Sequence, residues 1–124
     1  MNNKRPKHLA LHQIKLPISG YVSILHRISG LLLFVALPLL LSMLQYSLLS
    51  IETYTQLANL LAYPLVKAAL LVLLWAFLHH FFAGLRHLAI DFHYVRNLVQ
   101  ARHSSKAVLL TSIALTVLLG TKLW

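Results

Sequence analysis

The chain has 124 residues, of which 59% are hydrophobic and 10% charged. A soluble domain carries about a quarter charged residues, so the composition excludes an ordinary soluble catalytic domain and points to a small membrane-embedded bundle. The formal net charge is +9, with Glu52 and Asp91 the only acids, and there is no cysteine, which excludes disulfides and any thiolate attachment of a metal or cofactor.

A strongly basic chain can signal nucleic-acid binding. Here the basic residues flank long apolar runs, so their pattern reads as membrane topology and contact with anionic lipid or an acidic partner. Histidine, present in 8 copies, is left as the strong metal-ligand type.

Residues 1–20 read as an irregular or interfacial arm, with Lys4, Arg5, Lys7 and Lys15 and prolines at positions 6 and 17. Each proline disfavours helix in the residue before it. The apolar run starts too late and is too long for a secretory signal.

A first span is predicted from about residue 28 to about 49, with Ser19 or Ser23 capping the helix that leads into it and Pro38 kinking it. Residues 50–59 read as a short polar loop without Lys or Arg. A second span is predicted from about residue 60 to about 87. Pro64 suits its first turn, and Lys67 lies near enough to that end to snorkel outward. A loop over 92–105 and a nearly featureless third span over 106–123 complete the chain. The expectation is an all-α, three-transmembrane-helix bundle forming a single domain over 1–124.

The arm holds four Lys/Arg, the second loop and its flanks hold Arg86, Arg96, Arg102 and Lys106, the first loop holds none, and the C-terminus holds Lys122. The positive-inside rule then puts the N-terminus and the second loop in the cytoplasm and the C-terminus outside. Span 1 begins, and span 2 ends, on the inner side. Polar residues around His26 and Arg27 therefore arrive at the depth of those around His80 and His87.

On span 2, His80, Gly84, His87 and Asp91 share a helical stripe, while His79, Arg86 and His93 form a neighbouring one. Ionisable groups at membrane depth are costly and usually mark a site. Neutral imidazole is a good iron ligand, and a glycine one turn away lets a flat macrocycle or another helix come close. The plainer alternative is an interhelical hydrogen bond from His80 and a packing glycine. Arg86 and His87 tilt the balance, because cations toward the membrane surface would suit the anionic edge of a macrocycle. Entering span 1, Ser23, His26 and Arg27 share a face suited to a polar head group. Their alternative role is a helix cap with a basic flank. Ser29-Gly30 permits close helix approach.

These two clusters, with Arg5-Pro6 in the arm, Ser23-Ile-Leu-His26-Arg27-Ile-Ser29-Gly30 entering span 1, and His80, Gly84, Leu85, Arg86, His87 and Asp91 ending span 2, resemble the cytochrome b membrane-anchor subunit of succinate dehydrogenase, respiratory complex II. The resemblance covers nearly the whole chain. It implies the first, larger anchor of a four-subunit enzyme in the electron transport chain and tricarboxylic acid cycle, in the bacterial inner membrane. The partners it implies are a second anchor, an iron–sulfur subunit and a flavoprotein. His80 would be an axial ligand of haem b, the second axial histidine coming from the other anchor. Ser23 and Arg27 would line the ubiquinone site, and His26, Arg27 and His87 would form the haem environment. The anchor itself performs no dehydrogenation. A stand-alone membrane cytochrome b is the rival, but the outer half of the chain offers no histidine for a second haem. A purely structural anchor has no use for His80, Gly84 and Arg27 together, and a proton channel expects polar groups across every span.

Overall fold

The computed structural model describes residues 15–124; Arg5-Pro6 and most of the basic arm lie outside the described residues. Four α-helices follow one another: α1 (Ile18–Ser47), α2 (Ile51–Leu61), α3 (Pro64–Asp91) and α4 (Leu98–Leu123). No strand occurs among the described residues. Helices α1, α3 and α4 are long and apolar enough to cross a membrane. Helix α3 is central and packs against both α1 and α4.

The helices overrun the predicted spans for identifiable reasons. Helix α1 starts at Ile18, ten residues before the apolar run, because a helix continues until something stops it. Pro17 does so, in the N-cap position with extended backbone and no side-chain cap, so neither Ser19 nor Ser23 serves as the cap. At 1.5 Å rise per residue, its 30 residues reach about 45 Å, well beyond a hydrocarbon core of about 30 Å. The extra turns hold Ser23, His26 and Arg27 in ordered helix ahead of the predicted span. The helix is unbroken through Pro38. Helix α3 begins at Pro64, in its first turn, and Lys67 Nζ lies 5.9 Å from the centre of the Trp124 ring, a cation–π pair between the start of α3 and the end of α4.

The stretch 50–59 is mostly helix, not loop. Ser50 and Thr53 form a reciprocal capping box: Ser50 Oγ accepts from the Thr53 backbone N–H at 3.1 Å, and the Ser50 N–H donates to Thr53 Oγ1 at 3.0 Å. The Tyr46 hydroxyl donates to Gln56 Oε1, tying α2 to the end of α1. At 11 residues α2 is too short to span a bilayer.

The second loop is only residues 92–97. Asn97 caps α4 early by accepting from the Gln100 N–H at 2.8 Å. The loop opens with a Schellman turn in which Tyr94 N–H donates to Ala89 O and His93 N–H to Ile90 O, both at 2.9 Å. His93 therefore lies beyond α3 rather than on its helical stripe, with a φ of 62°. That left-handed conformation costs an L-residue about 1–2 kcal/mol. His93→Gly is expected to raise the thermal midpoint of unfolding in detergent, by the equivalent of about 1 kcal/mol or less; a lowered midpoint would contradict the strain assignment.

Val22 of α1, Ala83 of α3 and Val108 of α4 meet at the three-helix junction, with Phe82 and Leu109 against them. Small residues dominate the buried positions, among them Ser29, Ala76, Ala83, Ser105 and Ser112. Lipid tails are as apolar as leucine, so close backbone packing rather than apolar burial holds such helices together. Most large apolar side chains, such as Leu31, Phe34 and Val35 of α1, are accordingly exposed and face lipid or a partner helix.

Candidate functional site

The two polar clusters meet where the start of α1 crosses the end of α3. The His26 and His80 rings stack at 4.2 Å between centroids, 12° from parallel. The His87 ring is tilted 52° to His26 at 5.1 Å. The α3 stripe brings His80 and His87 two turns apart onto the α1-facing side, and His26 sits between them.

Glycine makes the approach possible. A Cβ at Gly30 would lie 2.8 Å from His80 Cε1 and 3.2 Å from His80 Nδ1, closer than carbon and nitrogen tolerate. His80 therefore leans onto the α1 backbone itself. Its Nδ1 lies 3.1 Å from the His26 carbonyl oxygen and 3.3 Å from Ser29 Oγ, and Ser29 Oγ donates to the same carbonyl at 2.9 Å. A carbonyl only accepts, so the bond to it requires the proton on Nδ1. Nε2 then keeps its lone pair. One turn further along α3, a Cβ at Gly84 would make an ordinary contact with His26 Nε2, at 3.7 Å, so this glycine faces the His26 ring.

Ser23 is half-buried and Arg27 exposed, on the face of α1 that also carries His26 and Gly30 by helical spacing. An exposed guanidinium and a hydroxyl beside three imidazoles form a donor-rich rim around the cluster.

The neighbouring stripe does something else. His79 is fully buried and stacks on Trp75, one turn before it, at 5.2 Å. Neither of its ring nitrogens has a hydrogen-bond partner among the described residues. Arg86 is 6% exposed. Its Nε donates to Ser104 Oγ at 3.1 Å and its Nη2 to the Ala101 carbonyl at 3.4 Å. It thus turns to α4 and pins that helix, away from the side of His80 where the sequence pattern would have it face a cofactor edge. Nor is α4 featureless: Ser105 and Ser112 are buried, and Ser105 Oγ donates to the Ala101 carbonyl at 2.7 Å. Sequence reasoning missed these serines because a hydroxyl that bonds its own helix leaves the apolar pattern intact. Asp91 is exposed, at the last residue of α3.

Three membrane-crossing helices with an imidazole cluster at one end define a membrane-anchor class, and comparison with known proteins gives the family. Residues 1–119 match the family described as succinate dehydrogenase/fumarate reductase transmembrane subunit, and the chain belongs to it. The chain is 38% identical over 125 residues to the succinate dehydrogenase cytochrome b556 subunit of Coxiella burnetii, covering 100% of both chains. It is 36% identical to that of Rickettsia felis over 117 residues, 94% of this chain and 91% of the relative. The Rickettsia conorii subunit is 34% identical over the same shares. The chain is accordingly a cytochrome b membrane-anchor subunit of the succinate dehydrogenase kind.

Proposed function

We propose that this chain is the haem-bearing anchor of a bacterial succinate:quinone oxidoreductase and lines its quinone-reduction site. The observation that carries the proposal is the state of His80: Nδ1 is engaged by the His26 carbonyl, Nε2 is left with its lone pair, and the small residue Gly84 follows one turn later on the same face. Those features fit a planar iron macrocycle, for which His80 would be one axial ligand. The second would come from the partner anchor. When bound, haem b supplies one-electron exchange with a neighbouring donor or acceptor.

The remaining residues have roles of their own. His26 and His87 border the same space and can hold carboxylate groups at its edge by donating from their rings. Arg27 and Ser23 present donors at interface depth, where a quinone carbonyl can be bound and oriented. Donors fixed before the reaction stabilise negative charge that develops on such an oxygen without having to reorganise. The resemblance implies iron–sulfur and flavoprotein partners, which this reading puts on the cytoplasmic side. The concentration of Lys and Arg at the polar end supports the same orientation, with the C-terminus outside.

The deciding experiment is a reduced-minus-oxidised optical spectrum of the complex purified through this chain in mild detergent, with succinate–quinone activity measured on the same sample. A haem b band with co-purifying soluble subunits and that activity is the expected result. Haem without those subunits would favour the stand-alone cytochrome. Partners and activity without haem would remove His80 from its role.

A further inference from the structure

We propose that Ser29 and the His26 carbonyl, admitted to contact by Gly30, act as a positioning device that fixes the tautomer and electron density of the His80 imidazole and so lowers the reduction potential of the iron group it binds. The proposal rests on the haem role of His80 given above and adds to it a specific α1 contact.

The geometry leads there in three steps. Ser29 is buried, at 1% exposure, so its hydroxyl has no water to bond and must find protein partners. It donates to the His26 carbonyl at 2.9 Å and faces His80 Nδ1 at 3.3 Å. With its own proton committed to the carbonyl, the hydroxyl oxygen can only accept from Nδ1–H. Nδ1–H is therefore shared between two oxygens, the carbonyl at 3.1 Å and the hydroxyl at 3.3 Å. The alternative tautomer would place an Nδ1 lone pair against the carbonyl oxygen, which is repulsive at this distance.

A hydrogen bond from the far nitrogen of a ligating histidine fixes the ring orientation and raises its basicity as a ligand. A more basic ligand favours the oxidised metal. Gly30 is the condition for all of it, since any side chain there displaces the ring. The His26 residue thus acts twice, by its ring against His80 and by its carbonyl behind it.

The test is a potentiometric titration of the haem, with low-temperature electron paramagnetic resonance of the ferric state, on the intact complex carrying Ser29→Ala, Gly30→Ala or Ser112→Ala. Ser29→Ala removes one of the two acceptors. It is expected to raise the ferrous-to-ferric ratio at fixed potential at least threefold, equivalent to about 28 mV at 59 mV per tenfold for one electron, with a shifted ferric signal. Gly30→Ala is expected to shift the potential further in the same direction or to lower haem occupancy. Ser112→Ala controls for losing a buried helix serine, because its hydroxyl bonds only Leu109 of its own helix, at 3.0 Å, and no shift is expected. A Ser29→Ala complex that keeps its haem with unchanged potential and signal, or a lowered potential, overturns the positioning role while leaving His80 as ligand. Absence of haem from the unsubstituted complex would instead overturn the haem assignment.

Discussion

Loss of the haem b band from a complex that still assembles is the expected result of His80→Leu, and its retention is the expected result of His79→Leu. The two histidines are adjacent in sequence but lie about 100° apart around α3. His80 leans on the α1 backbone at Gly30, whereas His79 is buried against Trp75. Changes in the partners of metal-binding histidines typically cost 10–100-fold in affinity, so removal of the ligand itself should lower haem affinity by at least about tenfold. His79→Leu removes two buried nitrogens that have no partner among the described residues. Leaving such a group unsatisfied costs about 1–3 kcal/mol, so this variant should be as stable as the parent or more so. The check is haem per complex together with thermal stability in detergent. Equal haem loss in both variants would mean that the α3 face has been misassigned.

Arg27→Ala should lower succinate–quinone activity roughly 10- to 100-fold while electron delivery to a soluble artificial acceptor persists. The range corresponds to one hydrogen bond from a charged donor, roughly 1.5–3 kcal/mol, lost at the reacting oxygen. Arg27 is exposed on α1, so little packing within the chain depends on it. That separates it from Arg86, which is buried and bonded to Ser104 and Ala101. If both activities fell together, the loss would report failed assembly instead of a quinone role.

Much of the site is legible in the sequence because spacing and chemistry agree there. Eight residues entering α1 and twelve ending α3 carry nearly all its ionisable groups, and two membrane crossings of opposite direction must bring them to one depth. The need for Ser29-Gly30 to allow close approach can be read in the same way: only a small residue admits another helix so near, and the intruding group is His80. Helix ends are less legible. Hydropathy marks where a helix leaves the hydrocarbon, not where its hydrogen bonding stops, so the interface turns of α1 and α4 are hidden from it. Helix α2 is hidden for a related reason. Its polar composition reads as loop, and only the Ser50–Thr53 cap reveals a helix start.

The sequence by itself determined the three spans, the one-sided distribution of basic charge, the meeting of two polar clusters at one end of the bundle and the resemblance that points to the family. The spans and the charge pattern follow from composition and periodicity, which are local, and the family from the resemblance carried by the two motifs. Only the tertiary structure decided which of two neighbouring histidines leans onto the Gly30 backbone, that Arg86 serves α4, and that the His26 carbonyl stands behind His80. Those outcomes depend on how α3 is rotated between its two neighbours. That rotation is set by the fit of small residues across both interfaces at once, a property of the packed helices that no single stretch of sequence carries.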